Sequence, residues 1–211
     1  MSVTPSKEII LKKIRKALSH PTPVPFPASE NNLPIFQPLQ QEIEIEFANQ
    51  FTKLQGRFAF CLNHEELAAQ LLALVTEKQW TNIYCCEENL KQMFQKNGYS
   101  NFSNVALKDC DCSITSCEVL VARTGTIVLS ANQANGRTTS VYAPVHICIA
   151  FTNQLVYDIK EALQLMKDKY KTNLPSLITF ASGPSRTADI EKTLVVGVHG
   201  PKEVYLFLIE A

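Results

Sequence analysis

Four consecutive segments in the first half of the chain alternate between strand and helix patterns, and this alternation limits the fold more than any other feature. RFAFCL (57–62) is apolar enough for a strand, and HEELAAQLLALVTEK (64–78) has helical periodicity. NIYCCE (82–87) and ENLKQMFQKNG (88–98) repeat the same order, and the second helix ends in a glycine stop signal. Strand–helix–strand order predicts an α/β fold with a mainly parallel sheet.

The second half of the chain is richer in short apolar strands separated by turns. CEVLVA, GTIVLSA, VHICIAF and LVYD precede a helix predicted at 159–170, and LITFAS, TLVVGVH and EVYLFLIE follow it. Tight turn signals between the last pairs predict antiparallel hairpins that extend or flank the parallel sheet. The expected fold class is therefore α/β, with an open, mainly parallel sheet and added antiparallel hairpins.

Residues 1–38 are expected to form an appendage to an α/β domain at residues 39–211. Between Lys7 and Leu18, apolar residues recur at helical spacing among lysines and an arginine, which predicts a short basic amphipathic helix. Six prolines between Pro21 and Pro38 remove backbone donors and predict a stiff strap. The helix is expected to dock on its own fold or on another subunit, and in the second case it would form a homo-oligomer.

Charge and cysteine usage exclude several classes of protein. Twenty basic residues balance twenty acidic ones, so bulk charge does not attract nucleic acid or anionic lipid. No apolar run reaches the roughly 18 residues of a membrane span, and the N-terminus lacks an apolar signal core. Seven cysteines cannot all pair within the chain, and reduced thiols fit the cytosol better. We expect a soluble cytoplasmic protein with buried thiols rather than a metal site.

The segment from Leu177 to Leu194 places a polar, glycine-containing turn between two apolar strands. A strand that leads through such a turn into a helix presents free N–H groups to an anion. The alternative is that the polar residues only cap a helical turn. The predicted ligand-binding residues here are Ser182, Gly183, Ser185, Arg186 and Thr187, and the acidic residues at the expected helix start, Asp189 and Glu191, are candidate catalytic groups.

The turn GVHGP, residues 197–201, holds an imidazole between glycines. Glycine lets a ligand approach the backbone closely, so Gly200 is a candidate ligand contact and His199 a candidate acid/base group. The alternative for His199 is a turn histidine that is hydrogen-bonded to a neighbouring carbonyl.

Polar residues upstream extend the same hypothesis. If the strands that carry them converge at one end of the sheet, these side chains share a cleft with His199. No His or Cys spacing along the chain is typical of a metal site, and none is expected. The additional candidates for ligand binding are Glu118, Thr124, Gly125, Thr126, Arg137 and His146.

In this order, ARTGTIVLS, Arg137, PVHI, SGPSRTADIE and GVHGP resemble the LUD domain family, of the lactate utilisation protein C type. The resemblance covers about residues 117–209. It implies a fold similar to sugar-phosphate isomerases and CoA transferases, with the site at the strand ends. It also implies a role in bacterial oxidation of L-lactate to pyruvate beside iron–sulfur partner proteins, with no cofactor in this chain.

Three functional hypotheses follow. The first is an accessory or ligand-binding subunit of an L-lactate utilisation system, which contacts a small anionic metabolite and the iron–sulfur subunits. The second is a stand-alone enzyme that acts on a small phosphorylated or carboxylated metabolite through an anion-binding cleft. The third is an assembly module in which the N-terminal helix and strap clasp a partner.

Overall fold

The computed structural model describes residues 5–19, 38–39, 41–190 and 193–211. The chain divides into two units, Met1–Pro38 and Leu39–Ala211. In the first unit, helix α1 spans Pro5–Leu18. The predicted proline strap, apart from Pro38, lies outside the described residues.

Within the described part of the second unit, the helices begin at recognisable sequence signals. The Asn63 side chain accepts a hydrogen bond from the Glu66 N–H before α3, and Asp158 accepts one from Lys160 before α6. The helices are α2 Ile43–Lys53, α3 His64–Lys78, α4 Glu88–Lys96, α5 Thr139–Tyr142 and α6 Ile159–Tyr170. The strands are β1 Arg57–Cys61, β2 Ile83–Tyr84, β3 Cys112–Ser116, β4 Val119–Val121, β5 Thr126–Ser130, β6 Val145–Phe151, β7 Leu155–Val156, β8 Ile178–Ala181, β9 Arg186–Ile190, β10 Thr193–Val196 and β11 Glu203–Ile209.

The main sheet is entirely parallel within the described residues, in the order β1-β11-β6-β3-β2. Helices α3 and α4 cover one face, where Leu71 and Phe94 pack in the same cluster as Ile147. The central strands β6 and β11 are almost entirely buried because both faces of the sheet are covered. This architecture confirms the predicted α/β fold with a mainly parallel sheet.

A second, mixed sheet in the order β7-β4-β5-β8 covers the other face of the main sheet. Its side chains alternate between two cores, as the period of a strand requires. Leu120 and Ile127 share a cluster with Leu206 of the main sheet, whereas Val128 packs in a cluster with Ala162 of α6. The antiparallel strands therefore form a separate layer instead of extending the edge of the main sheet.

The segment after β8 does not form the helix that the sequence predicts there. The sequence around Ala188 predicts a helix start, but β9 and β10 form an antiparallel hairpin in which Thr187 pairs with Val195 and Arg186 with Val196. The polar residues that resembled a helix cap instead precede a strand whose partner follows within a few residues. An anion site at a helix N-terminus is therefore wrong for this segment.

Two further strands differ from the expectation. Strand β3, with the sequence CSITS, is not among the predicted strands because few of its residues are apolar, yet it lies beside β6 in the main sheet. The hydroxyl of Ser113 donates to the Thr139 carbonyl at 2.7 Å, so this polar strand can be buried. Strand β11 does not form a hairpin with β10 but lies between β1 and β6.

Candidate functional site

A cavity of 150 Å³ lies where the turn after β8, the GVHGP turn and the start of β6 meet. Ala181 ends β8, whereas β6 begins at Val145 and β11 at Glu203. The cavity is therefore at the carboxyl end of β8 and at the amino ends of the two central strands. Five of the predicted site residues line it, namely His146, Gly183, Ser185, His199 and Gly200.

A second cavity of 490 Å³ shares Val141, His199 and Gly200 with the first one. It is lined on the other side by Lys202, whose side chain is exposed. Lys202 is the ammonium group nearest the turn in sequence, and the sequence predictions did not include it. The combined space offers hydroxyl, imidazole and ammonium groups, the donors that bind a small carboxylate or phosphate.

Backbone hydrogen bonds hold the two turns together. The Ser185 N–H donates to the Pro201 carbonyl at 2.9 Å, and the Gly197 N–H donates to the Ser185 carbonyl at 2.9 Å. Gly197 has a φ of +80°, a conformation that favours glycine. These contacts join the two turns, and His199 and Ser185 thereby line the same cavity.

His146 is 1% exposed, and its Nε2 lies 2.8 Å from the Thr115 hydroxyl of β3. Burial lowers the pKa of His146 to about 4, because the charged imidazolium is not solvated there. At neutral pH this residue is therefore an uncharged hydrogen-bonding group. Thr115 was missed from the sequence, and the strand alternation in SITS that points its side chain to the same face as Ser113 was the available signal.

The Thr124–Thr126 turn meets the end of β8 through a chain of hydroxyl groups. The Oγ1 atoms of Thr124 and Thr126 are 2.7 Å apart, and Thr126 Oγ1 is 2.7 Å from Ser182 Oγ. Thr126 is 2% exposed, so this chain is mostly shielded from solvent. The TGT turn and the end of β8 therefore lie side by side, and their hydroxyls hydrogen-bond each other. Ligand binding by these residues stays a prediction.

Gly183 and Arg186 contact the end of α2. A side chain on Gly183, which has a φ of +81°, would place its Cβ 2.6 Å from the Leu54 carbonyl oxygen. The same oxygen accepts a hydrogen bond from Arg186 Nη2 at 2.6 Å. Both residues thus attach the turn to a helix C-terminus, where a cation is favourable. Anion binding by Arg186 remains a prediction.

Glu118 does not line either cavity. It precedes β4, at the end of the β4–β5 pair that is far from Thr126. Its carboxylate accepts hydrogen bonds from Ser130, Tyr170 and Lys169 at 2.5–2.6 Å. Val121 pairs with Thr126 at the opposite end of this pair, about 10 Å away at the usual rise of a strand. Despite its burial, these hydrogen bonds lower the pKa of Glu118, and they use its carboxylate in a structural network.

Arg137 also lies apart from the two cavities. Its Nη2 donates to the Ser176 hydroxyl at 2.6 Å, and its side chain is exposed. The single cleft that was expected to include Glu118 and Arg137 is therefore not formed by the described residues.

Thr187 lies half-buried in β9. The catalytic roles of Asp189 and Glu191 stay predictions, because the Asp189 side chain and all of Glu191 lie outside what the structure describes.

The thiols, the possible metal ligands and the helices give three further findings. All seven cysteines are free, and burial raises the pKa of Cys85 to about 12. Across residues 5–19, 38–39, 41–190 and 193–211, no group of three or more His, Cys, Asp or Glu side chains is arranged to hold a metal ion. In the same ranges no helix is both long and apolar enough to cross a membrane.

Comparison with known proteins gives several relatives. Uncharacterized protein NMB1437 of Neisseria meningitidis is 29% identical over 140 residues, which are 66% of this chain and 60% of that protein. Lactate utilization protein C 1 of Bacillus mycoides is 32% identical over 59% of this chain and 58% of its own length. Lactate utilization protein C of Shouchella clausii is 36% identical over 47% of this chain and 44% of its own length. The chain thus spans about half the length of these relatives.

A crystal structure of a DUF162 family protein from Deinococcus radiodurans has the same fold. The two structures superpose with a TM-score of 0.61 at 19% sequence identity. The superposed part covers 82% of this chain and 99% of the Deinococcus chain. The LUD domain matches residues 45–209, which include both sheets and the two cavities. Since this match extends over most of the sequence, the chain belongs to the LUD domain family.

Proposed function

We propose that this chain is an accessory, ligand-binding subunit of a bacterial L-lactate utilisation system, and that it works in the cytoplasm with iron–sulfur partner proteins. The observation that carries the proposal is the cavity between the SGPS and GVHGP turns, the two motifs of the family resemblance. Relatives named lactate utilization protein C support the metabolic role. In this proposal the redox clusters belong to the partners, and this chain binds the metabolite.

The size of the cavity fits a lactate-sized molecule. Its volume is 150 Å³, and an apolar cavity of about that volume holds benzene, which has as many non-hydrogen atoms as lactate. The hydroxyl of Ser185 and the imidazole of His199 supply hydrogen bonds. Because His146 is neutral, the charge of a carboxylate is balanced by Lys202 on the adjoining side.

Ligand binding gives the first test. We expect L-lactate or pyruvate to raise the melting temperature, because a ligand that binds only the folded state stabilises it by about 2.7 kcal/mol at a hundred times its Kd. The substitution His199→Ala is expected to weaken binding at least about tenfold, through loss of one hydrogen bond to a charged group. Thermal denaturation measures the change in melting temperature, and calorimetric titration measures the change in affinity.

The control removes an imidazole elsewhere. His64 is exposed at the start of α3 and lines neither cavity, so His64→Ala is expected to leave the affinity unchanged. If neither carboxylate shifts the melting temperature, or if both substitutions weaken binding equally, the assigned site is wrong.

Growth of the producing bacterium gives the second test. Deletion of the gene is expected to abolish growth on L-lactate while growth on pyruvate continues, and the tagged protein is expected to co-purify with iron–sulfur proteins. Complementation with the intact gene restores growth, whereas the His199→Ala gene restores it only weakly. Normal growth of the deletion strain on lactate would contradict the proposal.

A stand-alone enzyme is the second candidate function. It is favoured because His199 lines one cavity with Ser185 and the adjoining cavity with Lys202. Imidazole and ammonium groups around one space can act as acid/base and anion-binding groups. A screen of small phosphorylated and carboxylated metabolites tests this function. If His199→Ala leaves a discovered activity unchanged, the enzymatic role of this site is excluded.

A further inference from the structure

A separate groove of 490 Å³ lies against α2, at the carboxyl end of β1. Its apolar part includes Ile45 and Phe60, whose side chains are 46% and 41% exposed. Its polar part carries the carboxylates of Glu42, Glu44 and Glu210. The groove shares no residue with the two cavities of the proposed ligand site.

Helix α1 has the opposite character. Five of its side chains are basic and one is acidic, and its apolar residues Ile10, Ile14 and Leu18 recur on one face with exposures of 57%, 49% and 76%. A helix of 14 residues is barely stable alone in water, since isolated helices shorter than about 12–15 residues are marginal. The helix is therefore expected to be stabilised by packing of its apolar face against another surface.

The groove and the helix are complementary in charge and in polarity. An apolar face flanked by lysines and arginine matches an apolar floor flanked by three glutamates. The cavities around His199 and Lys202 are not complementary to α1, because Lys202 gives their rim the same positive charge as the helix. The groove beside β1 also carries Arg57, so it is less acidic.

We propose that α1 of one copy of this chain binds in the groove of a second copy, and that the exchange is reciprocal. The proline content of residues 21–38 predicts, from the sequence, a stiff connection between α1 and the rest of the chain. The groove begins at Glu42, four residues after Pro38, and a stiff connection favours the groove of a second copy over a sharp reversal into the groove of the same chain. A reciprocal exchange fills both grooves and closes a two-fold dimer.

The mass of the full-length chain in solution, measured by sedimentation equilibrium, tests the dimer. Ile10→Asp with Ile14→Asp is expected to raise the dimer Kd about a hundredfold or more, because two buried anchors are lost. Glu44→Lys is expected to raise it about tenfold. Glu65→Lys is the matched control, because Glu44 and Glu65 both lie in the first turn of a helix. It leaves the dimer unchanged.

Mixing two defective chains distinguishes exchange from other dimers. The Ile10→Asp, Ile14→Asp chain keeps its groove, and a Glu44→Lys, Phe60→Asp chain keeps its helix. Each is expected to be monomeric alone, and the mixture is expected to form heterodimers with one intact contact. A monomeric wild type, a dimer insensitive to the helix substitutions, or a mixture that stays monomeric would each overturn the proposal. Lactate binding is measured separately, so its failure leaves this test unaffected.

Discussion

Gly125→Ala is expected to lower the free energy of unfolding by about 2–5 kcal/mol, through backbone strain and overlap with a neighbouring helix. The φ of Gly125 is +55°, and a side chain in that region costs about 1–2 kcal/mol. An added Cβ would also lie 2.5 Å from the backbone nitrogen of Phe51 in α2. Such an overlap costs about 1–3 kcal/mol more, because a helix backbone cannot move aside locally.

Gly136→Ala is the control for this prediction. Gly136 has a φ of +61°, but nothing lies within 4 Å of its added Cβ. It therefore tests backbone strain without overlap, and we expect a loss of only about 1–2 kcal/mol. Urea unfolding of both variants measures the difference, and the melting temperature of Gly125→Ala should fall by about 10 °C. Equal losses in the two variants would show that close packing against α2 is unimportant.

This result bears on the role of the TGT motif. Gly125 was predicted as a ligand contact, and the structure supplies a packing reason for glycine at this position. A ligand role for Gly125 stays a prediction. If the Gly125→Ala variant folds, its affinity for lactate separates the packing role from the ligand-contact role. A pure packing defect lowers the free energy of unfolding and leaves the lactate affinity nearly unchanged.

Acid is expected to destabilise the protein through His146. The pKa of His146 is lowered to about 4 in the folded state by burial, from 6.5. The unfolded chain therefore binds a proton more readily, so stability is fully present above about pH 6.5 and is lost as the pH falls towards 4. The loss from this group between pH 7 and pH 4 is about 3 kcal/mol.

His146→Gln isolates this contribution, since glutamine can hydrogen-bond Thr115 but does not titrate. We expect its free energy of unfolding to fall by about 3 kcal/mol less than that of the wild type between pH 7 and pH 4. The comparison uses only the difference between the two proteins in how the free energy of unfolding changes with pH, because carboxylates such as Glu118 titrate in both proteins. Parallel stability curves would contradict a buried, neutral His146.

A neutral His146 also limits the chemistry of the proposed site. It can donate or accept a hydrogen bond at pH 7, but it cannot supply the positive charge that balances a carboxylate. Lys202 at the rim is therefore the cation on which the proposed anion binding depends. Lys202 directly follows the GVHGP turn in sequence, but only the tertiary structure shows that it lines the cavity.

The sequence by itself determined the elements with strong local periodicity. Helices α3 and α6 and the buried strands β6 and β11 are predictable because apolar spacing and capping residues such as Asn63 and Asp158 act within a few residues. The motifs SGPS and GVHGP also identified the region of the cavity. Family resemblance then supplied the metabolic hypothesis, which the spacing of residues alone does not contain.

Only the tertiary structure decided which strands pair and which polar groups meet. The helix predicted near Ala188 is a hairpin, because pairing of β9 with β10 outweighed a local capping pattern. Thr115 reaches His146 because β3 lies beside β6, and Glu118 stays away from the cavity because it precedes β4, at the end of that strand far from Thr126. Such contacts join residues about thirty or more positions apart. Local spacing cannot encode them, since they depend on how the two sheets stack.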